Sequence, residues 1–590
     1  MIAKITKVIL AGLFTFAAAT DRYEAEDAIV DANSVVKTAN AQASGGYYVD
    51  MKTGMLTFQV TMANAGFYSL WVNYFLTDPN GKIQNLVVNG ISTGQISFPY
   101  APAFVYMKAA GKVKLAAGVN TISITHSWGY VNLDYLEITP FVATPFKVLN
   151  SLVTPNPSEN AKKMYGFLYE NFQKKVVSGV MTSDVMLTDG KYTPMSVEGQ
   201  TEVAWVMNAS HKIPALLGVD FLHATGLNSD NEWQIGYTKG TLSLAEEIFT
   251  KGGFPAYSWH WQDPSKAVET FYVDTTRATH TTFDLNKAFT DSTTYADFNT
   301  SSAEYLAIVR DLDIIAANLK ILADKGVPVL WRPLHEASGK WFWWGAKGPA
   351  ATKALYHLMF DRFVNVHKLD NLIWVWTSDE AADAADWYPG DAYVDIIGRD
   401  YYFDPRARNH SSLVASFERI KEISGGTKLV TLSENGSVPF PDSLVADGAG
   451  WSYFMPWNLD FTMDGWAHDN TANDWDTLMN NSYVITLDAM PGWANYVPPA
   501  YVPVGVSKVP TAPVGYLHYD NGVLQLTQAS SSMATVELFG IQGLRVAVLY
   551  QGFLSAGVHN FSMKAVESGV YFVRIRNDLG HTTKQIVVHE

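Results

Sequence analysis

The sequence predicts a multidomain chain: an N-terminal β-sandwich of jelly-roll type, a central (β/α)8 TIM barrel and a small C-terminal β-sandwich domain. Three observations predict it. Between residues 20 and 140, short period-two runs such as MLTFQV, FYSLWVNYF and NTISIT are punctuated by Gly, Asn and Pro, the pattern of antiparallel strands with one buried face. From 147 to 500, eight apolar strand-like segments alternate with helical stretches, and eight is the number that closes a parallel barrel. From 515 to 590, MATVELFG, RVAVLYQG, VYFVRIRN and KQIVVHE return to short strands.

Composition supports this division and narrows the function. Residues 1–19, MIAKITKVILAGLFTFAAA, place Lys4 and Lys7 before a short apolar stretch and three alanines, which predicts a secretory signal peptide. That stretch is too short to span a bilayer, and nothing later in the chain does so. Pro140 and Pro145 mark a linker over 141–146, and the Pro- and Val-rich segment 501–514 is a second spacer. The net charge of −15 leaves no basic face for nucleic acid or other polyanions. The absence of cysteine excludes disulfides, thiolate metal sites and a Cys nucleophile. Aromatic residues reach 13%, with 18 Trp and 30 Tyr, and flat apolar rings are what the faces of sugars stack on. A neutral polysaccharide is the partner these properties fit, and a monomer is the default state.

The eight barrel segments are VVSGVMTSD, PALLGVD, FPAYSWHW, VPVLWRPLHE, NLIWVWTS, VDIIGRDYY, LVTLSEN and WSYFMPWN. Each ends in polar or aromatic residues, so chemistry collects at the strand C-terminal ends, where such barrels keep their sites. The fourth delivers His335 and Glu336 to the mouth, followed at once by Trp341, Phe342, Trp343 and Trp344. A carboxyl among such rings is poorly solvated, so it stays protonated near neutrality and can act as a general acid. The seventh delivers Glu434 from the opposite wall, which makes a pair of carboxylates of the kind that cleaves glycosidic bonds.

WRPLHE-x-x-G-x-WFWWG, with SWHW at Ser258, WYPGDAYVDIIGRDYY from Trp387 and LSENG at Leu432, resembles glycoside hydrolase family 26, mostly retaining endo-β-1,4-mannanases. The resemblance covers about 350 residues and implies Glu336 as acid/base and Glu434 as nucleophile, with no cofactor in the chemistry. It further implies that His335, where most of the clan carries Asn, contacts substrate near the scissile bond. Tyr402 would orient the nucleophile, Asp400 line the adjacent subsite and Trp341 contact sugar. His260 and Trp261 would shape the floor, and Trp457 would stack on a sugar ring. Arg399 stands where an apolar residue is usual.

The first domain, opening YEAEDA at Tyr23 and closing HSWGYVNLDYLEI, resembles carbohydrate-binding module family 35. Glu24, Glu26 and Asp134 are three carboxylates that converge on a structural calcium ion in this reading. Trp128, Asn132 and Tyr48 would form its sugar site, a ring to stack on with polar groups to bind hydroxyls. The last domain resembles the sorting domain of type IX secretion substrates, an export address that engages the secretion machinery. The expectation is therefore a bacterial secreted or cell-surface endo-β-1,4-mannanase. The alternatives are another retaining β-glycanase on the same scaffold, acting on mixed-linkage glucan or β-1,3-xylan, and a non-catalytic polysaccharide-binding protein.

Overall fold

The computed structural model describes residues 21–31, 36–187, 191–379, 381, 383–503, 516–520, 522–528, 532–540, 545–554, 557–563, 566–577 and 580–588. The signal-peptide reading of 1–19 and most of the spacer at 501–514 lie outside the described residues. The chain forms two compact units, Met1–Val502 and Pro503–Glu590. Among the described residues no helix is long and apolar enough to cross a membrane.

The first unit begins with two antiparallel sheets. One orders its strands Val36–Ala39, Tyr47–Asp50, Asn132–Pro140, Gly66–Leu76 and Ala101–Leu115, with Asp21–Glu24 added on Asn132–Pro140. The other orders Ile29–Val30, Met55–Met62, Gly118–Trp128, Lys82–Val88 and Ile91–Phe98. Alternation selects the core: Leu56, Phe58 and Val60 of one strand face Leu70, Val72 and Tyr74 of another, and all are buried.

The barrel follows in the same unit. Its strands are β1 (Gly179–Met181), β2 (Leu216–Asp220), β3 (Phe254–Ser258), β4 (Val329–Arg332), β5 (Leu372–Ser378), β6 (Ile396–Tyr401), β7 (Leu429–Asn435) and β8 (Phe454–Pro456). They are parallel and ordered by sequence, and a parallel bridge between Val177 and Tyr453 brings the first wall to the last. The eight segments expected from the sequence are these eight strands. Because both faces are covered, each strand is buried along its whole length, and its polar residues gather at the C-terminal end. Alternate residues separate inward and outward: Leu216, Ala256, Leu330, Ile373 and Leu429 fill the interior, while Leu217, Tyr257, Val329, Leu372 and Val430 face the helices. The helix Glu159–Asn171 contributes Met164, Tyr165 and Leu168 to the interior cluster.

The outer helices carry the 3.6 period. The longest, Ala303–Asp324, buries Ile308, Leu312, Ile315, Leu319 and Leu322 on one face, and Ser302 caps it by accepting from the Tyr305 amide. The second unit has two antiparallel sheets around Leu524, Leu526, Val536, Leu538, Val573 and Ile575. One holds Tyr516–Asp520, Val523–Gln528 and Gly557–Ser562; the other holds Arg545–Leu554, Ser532–Gly540, Gly569–Asn577 and Gly580–Val588.

Candidate active site

Arg332 is the hub of the barrel mouth. It ends β4 on the inward face, and its guanidinium is almost wholly buried. It donates from Nη1 to Asp400 Oδ2 at 2.8 Å, and from Nη2 to Ser258 Oγ at 2.8 Å and Glu434 Oε2 at 2.5 Å. Burial opposes its charge, but Asp400 and Glu434 together push its pKa further up, so it stays a cation. Glu434 is further held by Tyr402, whose hydroxyl donates to Oε1 at 2.5 Å. Burial and the charge of Glu434 raise the Tyr402 phenol well above its usual range, which keeps the proton on the donor.

The segment after β4 turns sharply. Leu334 and Glu336 both have φ of 51°, in the left-handed region that side chains normally avoid, a strain typical of functional sites. The turn puts Glu336 beside Trp341, whose Nε1 donates to Oε2 at 3.2 Å. Gly339 makes that approach feasible, because a Cβ there would stand 2.0 Å from the Trp341 ring. Burial raises the Glu336 carboxyl well above the ordinary glutamate value, and the charges of Glu434, Asp400 and Asp379 add to it. Trp343 and Trp344 are fully buried and act as scaffold: their Nε1 groups donate to the carbonyls of Trp261 and His335.

Three expectations from the sequence change in three dimensions. His335 is 1% exposed; its Nε2 meets His260 Nε2 at 3.1 Å, and its Nδ1 is buried without a partner. It stands behind the groove wall instead of touching substrate, and burial, followed by His260 and Arg332, pushes its pKa well down, so it is neutral. Asp400 does not line a subsite, because Arg332 and Ser433 Oγ, the latter at 2.8 Å, take both its oxygens. Burial, then Glu434, pushes its carboxyl up, against the pull of Arg332. Trp261 is not floor but core: it stacks on Trp259 at 4.0 Å and donates to Asp311. The reason is alternation after β3, which turns Ser258 and His260 inward and therefore Trp259 and Trp261 outward. Tyr48, in the sandwich, lies on the outer face of its sheet, edge-on against Phe104 and against Phe75, the register partner of Asn132.

His260 and Trp457 do face the groove, with rings 5.5 Å apart. They border a cavity of about 600 Å³ that extends past Ser183, Tyr192, His223, Trp233, Tyr237 and Tyr272. Trp341 is 38% exposed. Two residues that the sequence reading missed complete the site. Arg332 stands in the WRPLHE motif, and strand alternation alone would have turned it inward. Asp220, the last residue of β2, holds the His260 ring through Oδ2 at 2.6 Å. Although burial alone would raise Asp220, His260 and Arg332 hold it below the ordinary aspartate value.

In the sandwich, Asn132 borders a second cavity of about 580 Å³ with Asp50, Lys52, Asp78, Lys82 and Tyr130. Trp128 ends the strand Gly118–Trp128, and its side chain lies outside the described residues. Among the described residues, no group of three or more His, Asp or Glu forms a ready-made metal centre. Glu24, Glu26 and Asp134 nevertheless each keep a buried carboxylate oxygen without a partner. Burial, then Glu24 and Glu26, pushes Asp134 up to about 6, and burial raises Glu26. Crowded carboxylates with orphaned oxygens fit a hard cation such as calcium.

Comparison with known proteins agrees with this geometry. The glycosyl hydrolase family 26 model matches residues 153–489, and the carbohydrate binding module (family 35) model matches 21–141. The mannan endo-1,4-beta-mannosidase of Thermothelomyces thermophilus is 34% identical over 488 residues, 80% of this chain and 90% of that protein. The crystal structure of a beta-mannanase from a symbiotic protist of the termite Reticulitermes speratus, complexed with gluco-manno-oligosaccharide, is 42% identical. It covers 59% of this chain and 100% of its own, with a TM-score of 0.52. The Podospora anserina GH26-CBM35 beta-(1,4)-mannanase structure is 32% identical over 80% of this chain and 99% of its own, with a TM-score of 0.51. Matched by the family model over more than half its length, and carrying paired glutamates at the ends of β4 and β7, the chain belongs to glycosyl hydrolase family 26.

Proposed function

We propose that the protein is a retaining endo-β-1,4-mannanase that cleaves mannan, glucomannan or galactomannan within the chain. The observation that carries this reading is the asymmetry of the two glutamates. Glu336 is kept protonated by burial and by neighbouring negative charge, whereas Glu434 accepts hydrogen bonds from the Arg332 guanidinium and the Tyr402 hydroxyl. Glu336 gives its proton to the glycosidic oxygen as Glu434 attacks the anomeric carbon; the C–O bond breaks and a glycosyl ester forms on Glu434. Glu336, now a carboxylate, takes a proton from water, which attacks the same carbon and frees Glu434 with net retention. The two side chains supply acid and nucleophile, so this chemistry requires no cofactor. His260, Trp341 and Trp457 supply the groove surface for the sugar rings.

Reducing-sugar release across galactomannan, glucomannan, lichenan and β-1,3-xylan tests the reading, with chromatography of the products over time. Rapid formation of mixed oligosaccharides from the mannans supports it. Preference for lichenan or β-1,3-xylan assigns the scaffold to one of those glycans, and no turnover on any glycan leaves a binding protein.

The sandwich retains the enzyme on polysaccharide, with Tyr130 and Asn132 at its cavity, and Glu24, Glu26 and Asp134 hold a structural calcium. The N-terminal segment directs export to the cell surface or medium of a bacterium. The C-terminal strands serve as a type IX sorting address, which a reporter carrying 503–590 tests: export that depends on that secretion system supports it, and retention of the reporter opposes it.

A further inference from the structure

We infer that the sugar-binding sandwich has a second function: it is part of the wall that holds the catalytic machinery, by bracing the β6 loop that carries Tyr402. The inference rests on the glycanase reading of the barrel. After β6 the chain runs from Tyr402 to Leu413 without regular structure and then enters the helix Val414–Ile423. Loops of this length keep one shape only when something outside them does so.

Two sets of contacts fix it, one on each side. On the catalytic side, Tyr402 donates to Glu434 and its ring lies edge-on against Phe461 at 4.8 Å. Arg406 from the same loop covers the other partner of that pair, standing 3.7 Å from the centre of the Phe461 ring. The Asn409 amide donates to Ser437 Oγ at 3.1 Å, and Ser437 Oγ donates to the Ala407 carbonyl at 3.0 Å, three residues past Glu434. Arg406, Arg408 and His410 are tied to Asp469, Asp474 and the Val438 carbonyl of the barrel's own loops, whereas Asp404 and Asn409 are tied to the sandwich. Asn85 Nδ2 donates to the Asp404 carbonyl at 2.8 Å, and Ser127 Oγ to Asp404 Oδ2 at 3.4 Å. Asn409 Nδ2 donates to the Ser92 carbonyl at 3.0 Å.

The junction around these ties is packed like an interior. Ala415, at the start of the following helix, belongs to the sandwich's own core cluster. Gly94 lies so close that a Cβ there would stand 3.6 Å from Ser416 Oγ and 4.0 Å from Ala415 Cβ. Lys112 of the sandwich donates to the Asp447 carbonyl at 2.7 Å. A tethered binding module on a free linker needs none of this, whereas a wall that supports a loop needs all of it. The sandwich therefore acts on the nucleophile through two carbonyl-to-amide ties and the loop between them, and Asn85 and Asn409 are positioning residues.

The test uses the full chain and mannopentaose, a soluble substrate too short for capture on the binding module to matter. Wild-type turnover of that sugar is the control for the glycanase reading, so a failure of that reading appears in the wild type and not in the variants. Asn85→Leu and Asn409→Ala are each expected to lower kcat about tenfold with KM within twofold, because nucleophile placement suffers more than ground-state binding. Lys108→Ala, at an exposed ion pair with Glu422 of the following helix, on the same junction but away from the loop, should leave both constants unchanged. Should Asn85→Leu fail to fold, Asn409→Ala decides alone, since it removes one side chain from the loop itself. Unchanged kcat in folded variants, or a loss of rate confined to insoluble mannan, overturns the inference.

Discussion

The surroundings of Glu336 make its neutral form the stable one, as the proposed acid role requires. Burial and the negative charges of Glu434, Asp400 and Asp379 all favour the proton. The acid is therefore competent across neutral pH and is lost only as pH rises past its raised value, so it sets the alkaline limb of the pH–rate profile. Glu336→Gln should cut mannan hydrolysis by about 10²–10⁴-fold. It should spare the first step on an aryl glycoside with a good leaving group, and it should erase the alkaline limb. A preserved limb in the variant would assign it to another group. Arg332 is the residue on which both catalytic geometry and stability meet. Arg332→Met leaves Asp400 and Glu434 buried without their cation, so it should cost about 3–5 kcal/mol as well as activity. Urea unfolding monitored by tryptophan fluorescence measures this, and a variant as stable as the wild type would refute the pairing as a structural element.

Among the elements, the turn after β4 converts a strand end into a site. Its two left-handed residues, Leu334 and Glu336, reverse the chain so that an acid and an indole five residues later meet. Gly339→Ala would press a methyl group into the Trp341 ring. The indole must then leave Glu336, and kcat on mannan should fall about tenfold while the melting temperature moves little. Steady-state kinetics with a parallel thermal melt checks it, and unchanged kcat would remove Trp341 from the catalytic set. This part of the site was legible in sequence, because E-x-x-G-x-W places the three residues within one turn of chain. The tie of Asp220 to His260 was not, since it joins two strand ends 40 residues apart.

At the scale of the molecule, calcium and the C-terminal unit carry the predictions. In the cation-free sandwich, Asp134 titrates near 6 instead of at its ordinary value near 4. Stability from this group is therefore highest at low pH and is lost as pH rises from about 4 to about 6. A calcium ion held as proposed would favour the ionised cluster, so calcium should raise the melting temperature more at pH 7 than at pH 5. Calorimetry with calcium and with chelator measures the difference, and equal melts in both would exclude the cation. The second unit has its own core, so a chain ending at Val502 should hydrolyse soluble mannan with unchanged kcat/KM. A large loss on truncation would give that unit a part in the fold of the first.

The order of strands, the barrel, the two glutamates at its mouth and the flanking β-domains were all written in linear pattern. Strand periodicity and the polar ends of strands are properties of consecutive residues, so reading along the chain recovers them. Depth is different. Whether His335, Asp400 and Trp261 touch a sugar or stand one layer behind it depends on how neighbouring strands are registered and which way each strand end twists. The Asp400–Glu434 register on adjacent strands and the alternation past Ser258 decide it. The same holds for Arg332 and for the junction at Asn85 and Asp404, whose partners lie 319 residues apart in sequence. Only the folded chain brings such groups within hydrogen-bonding distance, because a directional contact a few ångströms long is fixed by packing from every side and not by its sequence neighbours.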